Sequence, residues 1–334
     1  MNSSIINWVA VAAVLASFVP LAQANGPTPL NWVFTSDPQY PWTEKSDSGE
    51  DESSATRNAR SRQLIEAQYA NVADYRKAHG GSAAVPVMIN GDMTAYGHGS
   101  ERDVVFPLIS SRLEGVYDFG LGNHDYANNV NDCLLNNCAA GSVQVLIDRY
   151  WTKTEMDLAA RDVDGVLTYF GSLAYSKAFG DVHVVQLNNE PSYSVDFTSG
   201  SLLTFNRLGF RINDAFEWLE KDLAAARAQG KVIIVNMHNT HDWKGDFYER
   251  DRFRALIERY RVTAVFAGHL HESLGAHLAR ATFGTVPVFL SGSASQQTYL
   301  TAEFSADLRS LTVSTVKGND WRSRAVEAVI DVQR

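Results

Sequence analysis

Residues Val116–Asp125, VYDFGLGNHD, join a short apolar run to a polar tail, Gly122-Asn123-His124-Asp125. The run is typical of a buried strand, and the tail offers an amide, an imidazole and a carboxylate, three groups that bind metal ions. A single tail of this kind is usually a loop or a helix cap. The same arrangement recurs at four other predicted strands, and this recurrence indicates a common site.

Each of the other four predicted strands is followed at once by side chains that can bind a metal. The strands and their tails are Leu30–Ser36 with Asp37-Pro38-Gln39, Val85–Asn90 with Gly91-Asp92, Lys231–Met237 with His238, and Val262–Ala267 with Gly268-His269-Leu270-His271. Ligands of α/β sheets bind beyond the carboxyl ends of the strands, so five such tails can converge on one crevice. The i, i+2 spacing within the first and last tails fits this, because alternate side chains of an extended backbone point the same way.

Helix-like stretches alternate with these strands and predict an α/β fold. The predicted helices lie near Arg60–His79, Glu101–Arg112, Arg211–Gln229 and Glu249–Tyr260. A hairpin is predicted for Ser172–Phe179 with Val182–Leu187, and later strands for Val286–Leu290, Tyr299–Phe304 and Leu311–Val316. This order predicts a sheet of parallel and antiparallel strands layered against a second sheet. The polar stretch Thr43–Arg62 is predicted to be a solvated loop that runs into a helix.

The N-terminal residues predict export. Ile5–Ala22 is uncharged and mostly apolar, and it leads into Ala22-Gln23-Ala24, the small-x-small pattern after which signal peptidases cleave. We therefore predict a signal peptide over residues 1–24 and a single domain over residues 25–334, because no repeat or Pro-rich linker divides the chain. The expected location is secreted or periplasmic. No Lys or Arg precedes the apolar run, and an uncleaved membrane anchor is the alternative, since this run of 18 residues could nearly cross a bilayer.

Export also bears on the two cysteines of the chain, Cys133 and Cys138. An oxidising compartment favours a disulfide between them. So short a loop requires a turn, which Asn136-Asn137 can supply. Two free thiols are the alternative.

The five tails, taken in order, resemble the motifs of the calcineurin-like metallophosphoesterase superfamily. Those motifs are Asp-x-His, Gly-Asp, Gly-Asn-His-Asp/Glu, a lone His after a strand, and Gly-His-x-His, and the resemblance runs from Asp37 to His271. Ser172–Asn189 is similar to the family's hairpin, and Phe216–Ala226 to the helix that follows it. The resemblance implies the metallo-dependent phosphatase fold, a two-layer mixed β-sandwich flanked by helices, with a dinuclear metal centre at the strand ends.

The resemblance also implies a role for each residue. It has the first metal ion held by Asp37, Gln39, Asp92 and His271, and the second by Asp92, Asn123, His238 and His269, with Asp92 bridging. Two divalent ions ~3.5–4 Å apart share a hydroxide as nucleophile and offset the charge that develops on the phosphoryl oxygens. His124 is implied to be the general acid that protonates the leaving group, and Asp125 the residue that orients it.

Gln39 is the departure from the family pattern, which more often has His at this position. A neutral amide oxygen is a harder donor than an imidazole nitrogen, and this tilts the first site toward Mn²⁺ or Mg²⁺ relative to Zn²⁺. The sequence does not decide the identity of the two metal ions among Mn, Mg, Fe, Zn and Ca. The role of His241 is also undecided: this residue either contacts substrate or replaces His238 as a ligand.

The predicted function is hydrolysis of a phosphomonoester, and a phosphodiesterase acting on a lipid or nucleotide is the alternative. The substrate is expected to be a phosphorylated small molecule, lipid or protein. Nucleic-acid binding is not expected, because 29 Lys and Arg against 38 Asp and Glu give a net charge of −9, and no stable membrane span is expected after signal cleavage. The His124-Asp125 pair disfavours a metal-binding protein without turnover. The lack of a His-Glu-x-x-His motif disfavours a zinc hydrolase of amide bonds.

Overall fold

The computed structural model describes residues 26–200 and 207–334. The predicted signal peptide, residues 1–24, lies outside the described residues and stays a prediction, as does the extent of the single domain. Among the described residues, no helix combines the length and the apolar character that crossing a membrane requires.

Strands and helices alternate through much of the described chain. The strands are β1 (Asn31–Thr35), β2 (Val87–Ile89), β3 (Asp118–Phe119), β4 (Glu155–Met156), β5 (Ala159–Val163), β6 (Val166–Phe170), β7 (Tyr175–Phe179), β8 (Val182–Gln186), β9 (Val195–Gly200), β10 (Arg207–Ile212), β11 (Val232–Asn236), β12 (Ala264–Ala267), β13 (Leu274–His277), β14 (Val288–Ser291), β15 (Tyr299–Phe304), β16 (Ser310–Val316) and β17 (Ala325–Asp331). The α-helices are α1 (Glu44–Ser48), α2 (Ser54–Ala78), α3 (Gly99–Leu113), α4 (Asn137–Tyr150), α5 (Phe216–Ala228), α6 (Phe247–Arg259) and α7 (Arg280–Phe283). Short 3₁₀ turns lie at Ala127–Asn129, Leu134–Asn136 and Trp321–Ser323.

Two mixed sheets form a sandwich. The first has the order β17-β16-β15-β1-β2-β3, in which β1, β2 and β3 are parallel. The second has the order β13-β14-β12-β11-β8-β7-β4, in which β8, β11, β12 and β14 are parallel. Their inner faces meet in an apolar core, where Phe34 stacks on Phe266 with ring centroids 3.6 Å apart. The predicted two-layer mixed sandwich is confirmed.

The side chains of β1 point alternately into two apolar layers. Trp32 and Phe34 point into the core between the sheets, whereas Val33 packs on the outer face against α2. Successive side chains of a strand face opposite ways, so a strand covered on both faces is apolar throughout. Helices α2, α3 and α4 cover the first sheet, and α5 and α6 cover the second.

The stretch Thr43–Arg62 differs from its prediction as a solvated loop. Helix α1 occupies part of it, and α2 begins at Ser54, after Ser53 caps the amide of Thr56. Polar side chains on exposed helix faces give the same composition as a loop, so the charge of the stretch could not decide between the two. The predicted helix Arg211–Gln229 also begins later, because its first residues belong to β10.

A third sheet and helix α4 are features that the sequence pattern does not predict. The sheet has the order β5-β6-β10-β9, with β6 and β10 parallel. Cys133 and Cys138 lie before it at disulfide distance, with their Cα atoms 5.8 Å apart, so the predicted pairing is confirmed. Asn136, which turns the bridged loop with a φ of 56°, donates from Nδ2 to the carbonyl of Thr198 in β9 (2.9 Å). The bridged loop is thereby tied to the third sheet.

We predict that the protein is exported, begins near Asn25 after cleavage and contains this disulfide. Intact-mass spectrometry with an alkylating reagent tests both, because the bridged protein takes up label only after reduction. Labelling of both cysteines without reductant would contradict the bridge, and a retained Met1 would contradict cleavage. Loss of the bridge should lower stability less than loss of a bridge across a long loop would, since it closes a loop with a sequence separation of only 5.

Candidate metal centre

The carboxyl ends of β1, β2 and β3 in one sheet, and of β11 and β12 in the other, open onto one crevice. The imidazole of His238, which follows β11, is completely buried there. Its Nε2 lies 3.0 Å from Asp92 Oδ2, 3.1 Å from Asn123 Oδ1 and 3.9 Å from Asp37 Oδ1. These three partners follow β2, β3 and β1, so four of the five strand-end tails meet around one imidazole.

The fifth tail, after β12, borders the crevice from another side. His271 Nε2 lies 3.3 Å from Asp37 Oδ1, and the backbone N–H of His269 donates to Asp37 Oδ2 (3.0 Å). The His269 ring stands 5.1 Å from that of His238, centroid to centroid. Asp37, which follows β1 of the first sheet, therefore contacts both tails of the second sheet.

Several of these residues have a left-handed backbone conformation. φ is 52° at Asp37, 38° at Gln39, 51° at Asp92 and 72° at His269. Such conformations cost on the order of 1–3 kcal/mol each, and they concentrate at functional sites. One turn also requires glycine, because a Cβ on Gly268 would lie 2.6 Å from Asp37 Oδ2 and would displace that carboxylate.

Buried polar atoms in the crevice lack hydrogen-bond partners. Asp37 Oδ1, Asp92 Oδ2 and both amide atoms of Gln39 have none among the described residues. The imidazole nitrogens beside the two carboxylates lie at ion-pair distance but without hydrogen-bond geometry. An unpaired buried polar group costs about 1–3 kcal/mol. A divalent cation would satisfy the oxygens among these atoms, and carboxylate oxygens, an amide oxygen and imidazole nitrogens suit one, so the residues fit a metal centre.

Three histidines of the crevice have an acceptor at the same ring nitrogen, Nδ1. Their Nδ1 atoms contact the Asn90 carbonyl in the case of His238 (2.7 Å), Asp47 Oδ1 in the case of His271 (2.5 Å) and the Ala95 carbonyl in the case of His124 (2.8 Å). An acceptor at Nδ1 keeps a proton on that atom. Each Nε2 is left for a metal ion or a substrate, which is the usual arrangement of ligating histidines.

The electrostatics of the crevice favour positive charge. Burial lowers the pKa of His238, but the charges of Asp92 and Asp37 outweigh it and raise that pKa to about 9. Burial acts against the charged form of His271 as well, yet the nearby carboxylate of Asp37, and then that of Asp47 with its hydrogen bond, raise its pKa to about 10. In the metal-free protein these rings hold protons beside carboxylates. A cation that binds there would displace the protons, so metal affinity should fall as the pH falls.

A family model described as calcineurin-like phosphoesterase matches residues 33–273. The chain belongs to the calcineurin-like phosphoesterase family. The predicted family is thereby confirmed. Its members are metal-dependent phosphoric ester hydrolases, and membership implies divalent metal ions and phosphorylated substrates.

Three solved structures are similar to the phosphoesterase. A purple acid phosphatase from yellow lupin (Lupinus luteus) seeds shares 12% identity over 92% of this chain and 54% of its own, with a TM-score of 0.48. A predicted phosphoesterase from Streptococcus pneumoniae shares 10% identity over 86% of this chain and 89% of its own, with a TM-score of 0.31. A protein serine/threonine phosphatase from Saccharomyces cerevisiae shares 10% identity over 87% of this chain and 81% of its own, with a TM-score of 0.33. The chain spans about half the length of the lupin enzyme, and no curated protein matches it in sequence.

Asp125 does not orient the ring of its neighbour His124 in this phosphoesterase, so that part of the prediction is wrong. Asp125 Oδ1 accepts hydrogen bonds from the N–H and hydroxyl of Thr94 (3.0 and 2.9 Å), and Oδ2 accepts from the N–H groups of Met93 and Gly122 (3.1 and 3.0 Å). The carboxylate joins the loops after β2 and β3. Burial, followed by the charge of Asp92, raises the pKa of Asp125 to about 6.

His241 lies beside His269, and together with Asp242 these side chains are close enough to hold a metal ion. The Nε2 of His241 is 3.1 Å from Asp242 Oδ2, and its ring is 5.3 Å from that of His269, centroid to centroid. Burial, followed by the charge of His238, lowers the pKa of His269 to about 4. The role of His241, contact with substrate or replacement of His238 as a ligand, stays a prediction.

Asp47 is a residue of the centre that the sequence pattern misses. It comes from α1, within the stretch predicted to be solvated, and it is the partner of His271 Nδ1. Trp42 from the same segment places its indole ring 5.6 Å from the ring of His124 and 5.9 Å from that of His271. No local signal marks Asp47, because its partner in the centre lies 224 residues away.

Proposed function

We propose that this phosphoesterase is exported and hydrolyses a phosphomonoester, using two divalent metal ions and His124 as general acid. The observation that carries the proposal is the crevice around Asp92, where buried oxygens without hydrogen-bond partners face imidazole nitrogens. His124 stands at the same crevice, and its backbone N–H donates to Asp92 Oδ1 (2.8 Å).

The proposed ligands divide between the two ions. The first ion would be held by Asp37, Gln39, Asp92 and His271, and the second by Asp92, Asn123, His238 and His269. The contacts of His238 with Asp92 and Asn123 agree with the second set, and the contact of His271 with Asp37 agrees with the first.

The chain supplies a proton to the leaving group. When bound, the metal ions activate the attacking water and offset charge on the phosphoryl oxygens. As the bond between phosphorus and the ester oxygen breaks, His124 gives the proton on Nε2 to that oxygen, and the alcohol leaves. The ring that remains is the neutral tautomer with its proton on Nδ1, which the carbonyl of Ala95 stabilises. Water provides the new oxygen of the phosphate product and releases its proton to solvent.

Charge attraction supports a monoester as the substrate. Asp37 and Asp92 are the acidic members of the proposed ligand set, so two divalent ions would give the centre a net charge of about +2, or about +1 with the hydroxide nucleophile bound. A phosphomonoester dianion is attracted to this positive charge more strongly than a phosphodiester, which carries a single negative charge.

A colorimetric panel tests the proposed function. The chelated protein is reloaded with Mg²⁺, Mn²⁺, Ca²⁺ or Zn²⁺ and assayed with 4-nitrophenyl phosphate and bis(4-nitrophenyl) phosphate. We expect the monoester to be hydrolysed faster with at least one of the ions. Faster cleavage of the diester would favour the phosphodiesterase, and no cleavage of either ester would contradict the proposal.

Gln39→His should shift metal preference toward Zn²⁺. If the Gln39 amide oxygen ligates the first ion, an imidazole in its place supplies a softer nitrogen donor. Zn²⁺ prefers such a donor more strongly than Mn²⁺ or Mg²⁺ does. Zn²⁺ retention should rise, whereas activity need not, because a tightly bound ion can lose an exchangeable position. Calorimetric titration of the chelated wild type and variant with each ion measures the shift.

Gln39→Ala is the matched control for this substitution, since it removes the donor without replacing it. It should weaken the first site for every ion. If wild type, Gln39→His and Gln39→Ala bind two ions with the same affinity and preference, Gln39 is not a ligand, and water or another group completes the first site.

A further inference from the structure

A carboxylate outside the proposed ligand set lies directly against His271. The side chain of Asp47 is only 5% exposed, and each of its oxygens accepts two hydrogen bonds. The donors to Oδ1 are His271 Nδ1 (2.5 Å) and Trp42 Nε1 (2.7 Å), and the donors to Oδ2 are Ser295 Oγ (2.5 Å) and Gln296 Nε2 (2.7 Å). Four donors from three parts of the chain therefore hold this group in one orientation.

Core packing does not explain why α1 lies here. Its sequence, Glu44–Ser48 or EKSDS, contains no apolar side chain, and none of its residues is fully buried. The helix is instead fixed by its ends: Thr43 accepts from the N–H of Ser46, and Gly49 closes the last turn with a φ of 70°. A short, well-capped helix that buries only a carboxylate is consistent with a role for that carboxylate.

The contact with Asp47 decides which nitrogen His271 presents to the crevice. A carboxylate accepts and cannot donate, so Nδ1 must carry the proton and Nε2 must face Asp37 Oδ1, 3.3 Å away. His238 and His124 are held at Nδ1 by neutral backbone carbonyls instead. Among these three rings, His271 has the charged partner, and an anionic partner makes a ligating imidazole a stronger donor.

We propose that Asp47 is a positioning residue for the first metal ion. It fixes the tautomer and ring orientation of His271 and strengthens Nε2 as a donor, while Trp42, Ser295 and Gln296 hold the carboxylate in place. The proposal rests on the ligand role that the proposed function gives to His271. The same carboxylate anchors the Trp42 indole beside His124, so one side chain supports both the first metal position and the proposed general acid.

Metal titration of Asp47→Asn tests the proposal without any substrate. The amide keeps the shape of the side chain but loses its charge. We expect affinity at the first site to fall about 10–100-fold for Mn²⁺ and Zn²⁺, with the second site unchanged. In the Zn²⁺-loaded protein, ¹⁵N spectra of the imidazoles should show that His271 of the wild type has its proton on Nδ1. The same signal should shift in the variant.

Asp51→Asn is the matched control, because it removes the same charge from an exposed residue of the same segment. It should bind both ions like the wild type. The double variant Ser295→Ala, Gln296→Ala leaves Asp47 and His271 intact and removes two of the donors. It should weaken the first site by a smaller factor, which keeps the proposal testable if Asp47→Asn folds poorly.

Wild-type affinity at both sites in Asp47→Asn, with an unchanged His271 signal, would overturn the proposal. An equal loss at both sites, or the same loss in Asp51→Asn, would also overturn it, since either result indicates a general effect of charge or stability. A failure of the proposed function can be told apart from a failure of the Asp47 proposal, because hydrolysis and metal binding are measured separately. A wild type that binds two ions but hydrolyses no phosphoester would refute the function and leave the Asp47 result standing.

Discussion

Replacing Asp92 with Asn is expected to strip the centre of metal and to abolish hydrolysis. Asp92 is completely buried, with Oδ2 3.0 Å from His238 Nε2 and Oδ1 accepting the backbone N–H of His124. The variant keeps an acceptor for His124 but loses the charge that bridges the two proposed ions. We expect bound metal to fall below one ion per chain. Activity should fall by at least about 10³-fold, equivalent to about 4 kcal/mol. Elemental analysis of the purified protein and initial rates on 4-nitrophenyl phosphate measure the two effects.

Asp118→Asn is a matched control for the loss of a buried carboxylate. Asp118 lies in β3 at the end away from the crevice, where both of its oxygens contact Lys177 Nζ (2.8 and 2.7 Å). This variant should retain both metal ions and wild-type rates even if it unfolds at a lower temperature. Full metal content in Asp92→Asn would contradict the bridging role. A parallel loss of metal in Asp118→Asn would show that a loss of stability explains both variants.

The sequence predicts the sandwich because the information for it is local. Each strand that leads into the crevice is a short apolar run with its polar tail attached, so strand and ligand are found together, as in Leu30–Ser36 with Asp37. The third sheet carries no such signal. Strand β5, AARDV, is mostly exposed, and β6 pairs in parallel with β10 from much later in the chain. A mostly exposed strand lacks an apolar pattern, and distant pairing leaves no trace in a window of neighbouring residues.

Some residues of the centre are predicted from the sequence and others are missed. The two groups differ in how far along the sequence their contacts lie. The proposed ligands each follow a strand, so their convergence comes from the sheet. Asp47 accepts hydrogen bonds from Ser295 and Gln296, 248 and 249 residues later, and nothing in its own neighbourhood indicates this. The predicted role of Asp125 is wrong for the opposite reason. Its position next to His124 suggests a pair, but adjacent side chains point in different directions, and its carboxylate turns back to Thr94.

Truncating His124 to Ala should leave the metal centre intact and remove the general acid. The contact of this residue with Asp92 runs through its backbone N–H, which alanine retains, so both ions should stay bound. The rate should fall ~10²–10⁴-fold for an alkyl phosphate, whose leaving oxygen needs a proton as the bond breaks. The loss should be much smaller for 4-nitrophenyl phosphate, because nitrophenolate leaves without protonation. Steady-state rates for a series of esters with leaving groups of increasing pKa, together with elemental analysis, measure both parts.

His98→Ala, a substitution outside the proposed ligand set, serves as the control and should follow the wild type across the series. Equal losses for acidic and basic leaving groups would exclude proton transfer from His124. A loss of metal in His124→Ala would instead assign this side chain to holding the centre together.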